Sequence, residues 1–253
     1  MMIHCIRLFV LFFVFYVVKG NNDYCSLRCG RDEHTVCRRR NVQCGPGPQC
    51  SSNFRPIHLT DDDRRYILHL HNTLRNKVAT GQEKRGNQPP ASNMKALSYN
   101  RELENIAQCL TNTCNFAHDK CRRTAQWSWV GQNLGIRWTK GYVENVRSVI
   151  TDVINSWYNE VKDFRSSGVS QYGFNARVGH YTQQVWANTD HIGCAITFFV
   201  NSDGWNTHLM ACNYGPGGNY RGQAIYQQGS PTSNCGGLPV NSRYRGLCGN
   251  DYL

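Results

Sequence analysis

Three stretches of the chain carry apolar residues at the three- and four-residue spacing of an amphipathic helix. The first begins after Thr60, a capping residue followed by three aspartates, and ends at Gly81, which suits a left-handed helix end. The second follows Asn100, another capping residue, and the segment 83–93 between them is predicted to be a surface loop from its Gly, Pro and Asn content. The third stretch predicts a longer helix. The apolar positions, in chain order, are Ile67, Leu70, Leu74 and Val78; Leu103, Ile106, Ala107 and Leu110; and Val143, Val146, Val149, Ile150, Val153, Trp157 and Val161.

Two later segments, 193–200 and 205–214, are rich in β-branched and aromatic residues, which favour strands. The four residues between them, Asn-Ser-Asp-Gly, are typical of a turn, so we expect an antiparallel hairpin. The midpoint of Cys194 and Cys212 is residue 203, within that turn. The two side chains should therefore face each other across the strands at the distance of a disulfide.

Helices that flank an antiparallel sheet predict an α+β domain over roughly residues 56–226. Before it, residues 21–55 form a cysteine-rich extension without a periodic apolar pattern, which we expect disulfides rather than a core to hold. After it, residues 227–253 form a tail rich in Gly, Pro and Ser. The tail is most simply a loop closed by a bridge between Cys235 and Cys248.

The N-terminus is typical of a secretory signal. Eleven residues without a charge, 8–18, follow Arg7 and are too few to span a bilayer. The alternative, a buried core strand, would need a turn and a paired continuation, and neither follows. We therefore predict a signal peptide over residues 1–20 and a secreted, extracellular chain that starts at Asn21. No second run of about 18 apolar residues occurs, so no membrane anchor is expected.

Cysteine is the informative part of the composition, with 13 among 253 residues. Loss of Cys5 with the signal peptide would leave an even number, twelve, which in an oxidising compartment predicts six disulfides. The formal charge of +11 at pH 7 would suit an anionic partner, but the 28 Lys and Arg residues are scattered along the chain. We expect no nucleic acid among the partners.

Common catalytic and nucleotide-binding motifs do not occur in the sequence. There is no Gly-x-Ser-x-Gly nucleophile, no His-Glu-x-x-His zinc motif, no P-loop and no dinucleotide-binding glycine pattern. An even set of paired cysteines would leave no thiolate to act as a nucleophile. Standard hydrolase and nucleotide-binding functions are therefore disfavoured.

Two long motifs carry a resemblance to a known family: Gly-His-Tyr-Thr-Gln-Gln-Val-Trp-Ala-Asn-Thr at 179–189 and Leu-Met-Ala-Cys-Asn-Tyr-Gly-Pro-Gly-Gly-Asn-Tyr at 209–220. On these motifs the chain resembles the CAP superfamily of cysteine-rich secretory, antigen 5 and plant pathogenesis-related proteins. The cysteine spacing at its N-terminus is similar to that of insect antigen 5. The resemblance covers nearly all of the mature chain, with shorter supporting segments at 71–75, 131–134, 157–162, 23–29 and 34–37.

The resemblance implies an α-β-α sandwich with a central cleft that is lined by two histidines and two acidic residues. The matching positions are His118, Glu160 and His180, with Gln132 at the second acidic position. A neutral amide can neither act as a general base nor balance a divalent cation. We therefore expect no catalytic residues, and at most weak zinc binding at His118 and His180. The alternative to a metal site is a hydrogen-bonded polar cluster that shapes the cleft.

The resemblance also implies disulfide pairs. Cysteines beyond the family's core set are then left to pair among themselves, two of them within the tail. The expected pairs are Cys25–Cys37, Cys29–Cys121, Cys44–Cys114, Cys194–Cys212, Cys235–Cys248 and Cys50–Cys109.

In function, the resemblance implies a secreted, non-enzymatic effector of arthropod saliva or venom that acts on host haemostasis, for example by inhibiting platelet aggregation. Its partner would be a host extracellular or cell-surface protein, such as a platelet integrin, or a small lipid. Some relatives carry Arg-Gly-Asp for integrins, whereas here segments 30–32 (Gly-Arg-Asp) and 85–87 (Arg-Gly-Asn) lack that spacing. The alternatives are a lipid or sterol carrier and, less favoured, a hydrolase that uses the cleft residues. The sequence predicts no oligomeric state.

Overall fold

The computed structural model describes residues 23–51 and 53–253, so the expected signal peptide lies outside the described residues. Short 3-10 turns connect several of its longer elements. The helices are α1 Thr35–Arg38, α2 Asp61–Ala79, α3 Arg101–Thr111, α4 Val146–Asn159 and α5 Gly179–Gln184. The strands are β1 Arg55–Ile57, β2 Ser98–Tyr99, β3 Gly131–Thr139, β4 His191–Val200 and β5 Asn206–Gly215.

Helices α2 and α3 begin where their capping residues predict. The Thr60 hydroxyl accepts a hydrogen bond from the Asp63 backbone N–H at 3.1 Å, and the Asp63 carboxylate accepts one from the Thr60 backbone N–H at 2.9 Å. The Asn100 side chain accepts from the Leu103 backbone at 2.9 Å. Each contact satisfies backbone N–H groups that a helix leaves free at its start. Both predicted helices are confirmed.

Helix α4 is shorter than the apolar pattern predicts. It begins at Val146 because the Asn145 side chain caps the Arg147 backbone N–H at 2.8 Å, which leaves Val143 exposed outside the helix. At the other end, Val161 is buried but belongs to a 3-10 turn, Glu160–Asp163. The periodicity thus predicts the buried face correctly and overestimates the helix length.

The predicted hairpin is confirmed as strands β4 and β5. Cys194 lies opposite Cys212 in the antiparallel register, with a Cα–Cα distance of 4.1 Å, and the two residues form a disulfide. The sheet has the order β1-β4-β5-β3, and β2 pairs with β4 in parallel. Strand β3 was not expected from the sequence, because few of its residues are β-branched. Its strand conformation comes from nine antiparallel residue pairs with β5.

The two faces of the sheet pack against different helices. On one face, Ile196 and Met210 join a buried cluster with Ile67 of α2 and Ile150 of α4. On the other face, a second cluster packs α3 against the sheet, and its members are Ala107, Leu110, Leu134, Ala195 and Ala211. Alternate residues of one strand point to opposite faces, so β4 and β5 contribute to both clusters. The α+β, α-β-α sandwich architecture is confirmed.

All twelve cysteines within residues 23–51 and 53–253 are paired, but two of the expected pairs are wrong. Cys44 pairs with Cys109 rather than with Cys114, and Cys50 pairs with Cys114. Cys109 lies within α3, whereas Cys114 follows the helix. Cys44 is therefore joined to the last turns of α3, and Cys50 is joined to the loop after it. The other four pairs are confirmed: Cys25–Cys37, Cys29–Cys121, Cys194–Cys212 and Cys235–Cys248.

The segment 83–93 is not purely a surface loop. Glu83 is 2% exposed and Ala91 is fully buried, because the segment folds back over the end of α2. The tail also packs on the domain in addition to being closed by its disulfide. Its residues Tyr244 and Leu247 join the buried cluster that contains residues of α2.

None of the helices within residues 23–51 and 53–253 has both the length and the apolar content needed to cross a membrane.

Candidate functional site

The four residues expected in the cleft come from four separate elements, and the structure brings them together as two pairs. His118 lies in the loop after α3, and its partner Gln132 lies on β3. Glu160 directly follows α4, and its partner His180 lies in the first turn of α5. The two histidines are close enough for the charge of His180 to lower the pKa of His118. The cleft thus forms where the sheet meets helices α4 and α5.

Glu160 holds the start of helix α5. One carboxylate oxygen accepts from the His180 ring Nδ1 at 2.6 Å. The other accepts from the backbone N–H groups of His180 at 2.9 Å and Tyr181 at 3.0 Å. These N–H groups have no partner within the helix, and the positive end of the helix dipole favours the carboxylate. The Trp157 ring stacks on the His180 ring with centroids 6.0 Å apart. Glu160 therefore fixes the position and tautomer of His180.

Gln132 orients the second histidine. Its amide nitrogen donates to Asp119 Oδ1 at 3.1 Å and to Asn213 Oδ1 at 2.9 Å. Its amide oxygen therefore faces His118, whose Nδ1 donates to it at 2.7 Å. Nδ1 of each histidine thus donates a hydrogen bond, and Nε2 is the ring atom left for other partners. Partial removal from water lowers the pKa of His118, and the nearby charge of Arg122 lowers it further.

The sequence analysis missed Asp119, the carboxylate that directly follows His118. Its carboxylate forms an ion pair with Arg122 at 2.5 Å and accepts the Thr35 hydroxyl at 2.5 Å. The third contact is the Gln132 amide. Asp119 therefore brings a negative charge into the cleft, but Arg122 balances it. Its place next to His118 in the sequence was the one available signal.

The site can bind through its two free imidazole nitrogens more readily than it can transfer protons. Both carboxylates are engaged: Glu160 by three donors on α5, and Asp119 by Arg122, Thr35 and Gln132. Within the described residues, no three His, Cys, Asp or Glu side chains are grouped so that they could hold a metal ion. Two imidazoles would need water or ligand atoms to complete the coordination of zinc. Weak zinc binding stays a prediction.

A buried hydrogen-bond network connects α2 and the sheet to the His180 backbone. His71 of α2 contacts the Tyr214 hydroxyl at 3.1 Å, and the Asn133 amide donates to the same hydroxyl at 3.2 Å. Asn133 also donates to the His180 carbonyl at 3.1 Å. This network connects the helix layer, the sheet and the first turn of α5.

Exposed aromatic residues lie close to the cleft residues in the sequence. Phe116 is two positions from His118 and is 52% exposed, and Trp129, three positions before Gln132, is 48% exposed. The Trp129 ring lies 6.3 Å from the Tyr220 ring. The Arg221 guanidinium lies over the Phe174 ring. We call Phe116, Trp129, Phe174 and Tyr220 the aromatic rim.

Comparison with known proteins places this fold and cleft in a family. Residues 68–214 match the model of the cysteine-rich secretory protein family, CAP. Venom allergen 5.02 of Dolichovespula maculata is 42% identical over 212 residues, which cover 82% of this chain and 95% of that protein. The crystal structure of NaASP2 with Zn²⁺ has a TM-score of 0.62 and 29% identity, and the match covers 81% of this chain and 99% of that chain. The hookworm platelet inhibitor has a TM-score of 0.57 with 22% identity, covering 81% and 98% of the two chains, and shares the fold alone. The chain therefore belongs to the CAP family of cysteine-rich secretory proteins and is similar to venom allergen 5 over most of its length.

Proposed function

We propose that this protein is secreted in venom or saliva, catalyses no reaction, and impairs host haemostasis by binding an extracellular or cell-surface protein. Its similarity to a venom allergen over 95% of that protein's length supports the secreted venom or saliva setting. A protein of the same fold carries the name hookworm platelet inhibitor, and this makes platelet aggregation the first process to test.

The aromatic rim is the observation that carries the binding part of the proposal. Aromatic side chains dominate the binding energy of many protein interfaces, because they bury much apolar area with few rotatable bonds. Phe174 is 63% exposed and Phe116 is 52% exposed, so both rings are available to a partner. Disulfides at Cys114 and Cys121 hold both ends of the loop that carries Phe116, so little conformational entropy of that loop is lost when a partner binds.

Segments 30–32 and 85–87, which partly resemble the integrin motif Arg-Gly-Asp, differ in whether their arginine is free to contact a partner. Arg85 donates to the Glu83 carboxylate at 2.7 Å and to Asn159 at 2.8 Å, so its guanidinium is already engaged. Arg31 instead lies at the exposed tip of a turn that is closed by backbone hydrogen bonds between Cys29 and Asp32. If the partner is a platelet integrin, this turn is the segment that would contact it.

Platelet aggregation with the purified recombinant protein tests the proposal. We expect inhibition at micromolar concentration. We expect Phe116→Ala combined with Phe174→Ala to raise the inhibitory concentration about tenfold or more, since each exposed ring removed from an interface costs about 1 kcal/mol. The matched control is Trp138→Ala, another exposed aromatic residue on the same strand as Gln132 and about 20 Å from it. No inhibition by the wild type, or equal loss in the control, would contradict the proposal.

Zinc-dependent hydrolysis is the competing function, and the observation that favours it is that the hydrogen bonds of His118 and His180 engage Nδ1 and leave Nε2 for a ligand. Hydrolysis by the pure protein that requires zinc and disappears in His180→Ala would replace the binding proposal. The third possibility, lipid or sterol carriage, predicts that native protein releases a lipid on solvent extraction, which mass spectrometry would identify.

A further inference from the structure

A cavity of about 580 Å³ lies between the cysteine-rich extension and the loop that follows α3. Arg31, Arg38 and Arg39 line it from the extension, and Lys120 lines it from the loop. His118 also lines it, whereas Gln132, Glu160 and His180 do not.

Disulfides hold these walls in place. Cys29 and Cys121 join the turn before α1 directly to the end of the loop. Cys25 and Cys37 tie the start of the extension to α1. A cavity whose walls are covalently joined needs little reorganisation when a ligand enters, which favours binding.

The cavity is lined by four basic side chains and three carboxylates, so its lining has a net positive charge. The three carboxylates in its wall each have a cation: Asp119 pairs with Arg122, Glu33 pairs with Arg40 at 3.4 Å, and Asp32 lies 3.8 Å from Lys120. No ion pair or hydrogen bond is recorded for the guanidinium groups of Arg31 and Arg38 within residues 23–51 and 53–253.

Arg39 is the third arginine without a carboxylate partner in the described part of the chain. Its guanidinium donates to the backbone carbonyls of Cys109 and Gly45. Partial burial lowers its pKa, because removal from water disfavours the charged form of the guanidinium. Three arginines thus line one cavity with donor groups that suit an oxyanion.

We propose that this cavity binds a small organic oxyanion, a phosphate or carboxylate group carried on a short apolar body. Arg31 and Arg38 hold the anionic group, and Leu110 and Ala117 of the opposite wall contact the apolar body. The cavity shares Arg31 with the turn that would contact an integrin, and none of its lining residues belongs to the aromatic rim. Probe binding without platelet inhibition, or platelet inhibition without probe binding, therefore distinguishes failure of one proposal from failure of the other.

Isothermal titration with phenyl phosphate, with inorganic phosphate and with benzoate tests the site. We expect saturable binding with one site per chain, tighter for phenyl phosphate than for inorganic phosphate. The double variant Arg31→Gln/Arg38→Gln should weaken it about tenfold or more, since a hydrogen bond to a charged group contributes about 1.5 kcal/mol or more.

The double variant Arg243→Gln/Arg245→Gln removes two exposed arginines of the tail and serves as the charge-matched control, with an expected change of less than about twofold. Absence of saturable binding of all three probes would overturn the proposal. Equal weakening in the tail variant would also overturn it, because the binding would then follow net charge rather than this cavity. Retained platelet activity in the double variant would show that the two proposals concern different surfaces.

Discussion

Acid should destabilise this protein through His71, which is fully buried at the contact between α2 and β5. Its ring Nδ1 donates to the Ile67 carbonyl at 2.9 Å, and its Nε2 accepts from the Tyr214 hydroxyl at 3.1 Å. Burial lowers the pKa of His71 from the ordinary value of 6.5 to about 4, and the nearby positive charge of Arg75 acts in the same direction. The folded protein therefore keeps this histidine neutral where the unfolded chain protonates it.

The sign follows from proton binding. Between pH 6.5 and pH 4 the unfolded chain binds the additional proton, so the free energy of unfolding falls as the pH falls. The full difference between the two pKa values corresponds to about 3 kcal/mol, and about 2 kcal/mol of it is lost by pH 5. Protonation of His71 would also leave the Tyr214 hydroxyl without its acceptor. This hydroxyl belongs to the hydrogen-bond network that continues through Asn133 to the His180 carbonyl.

Denaturant unfolding with the disulfides intact, at pH 7.5 and pH 5, measures the effect. We expect His71→Gln to be less stable than the wild type at pH 7.5, because the amide fits the ring's space poorly. Its loss of stability between the two pH values should be about 2 kcal/mol smaller than that of the wild type. Other buried histidines titrate in both proteins and cancel in the comparison. The control is His58→Gln, because His58 is exposed. The free energy of unfolding of this variant should change with pH as that of the wild type does. Equal pH dependence in wild type and His71→Gln would refute the reasoning.

Three further substitutions should destabilise the fold, each measured by the same unfolding assay. Arg75→Lys should cost about 3 kcal/mol, because the buried guanidinium donates to five backbone carbonyls and an ammonium cannot reach them together; a loss below about 1 kcal/mol would contradict this. Glu83→Gln should cost about 2 kcal/mol at pH 7, since two cations and a tyrosine hydroxyl contact the buried carboxylate and hold its pKa well below the usual range. The wild-type advantage over this variant should disappear as the pH falls below about 4, where the unfolded chain takes up the proton; a constant advantage would count against the ion pairs. Gly193→Ala should cost about 2 kcal/mol, because the new methyl group collides with the backbone of α3, and unchanged stability would show that the helix can shift.

Local sequence signals determined much of the framework of this protein. The caps at Thr60 and Asn100 act within a few residues, and so does the turn that places Cys194 opposite Cys212. Apolar periodicity likewise identified the buried faces of α2, α3 and α4, because the side of a helix that packs on the sheet must be apolar. This holds even where the pattern does not predict the residue at which the helix ends. The resemblance to the family predicted that His118, Gln132, Glu160 and His180 line one cleft, and the structure pairs His118 with Gln132 and His180 with Glu160.

Only the tertiary structure decided the features that depend on distant partners. Strand β3 has little intrinsic preference for its conformation and takes it from pairing with β5. The partner of Cys44 depends on where along α3 the N-terminal extension packs. The spacing of cysteines in the sequence does not determine that position. Asp119 has no family motif of its own, and its contacts with Thr35 and Gln132 form only in the folded chain. In each case the deciding energy is a contact between segments far apart in sequence, which no local pattern encodes.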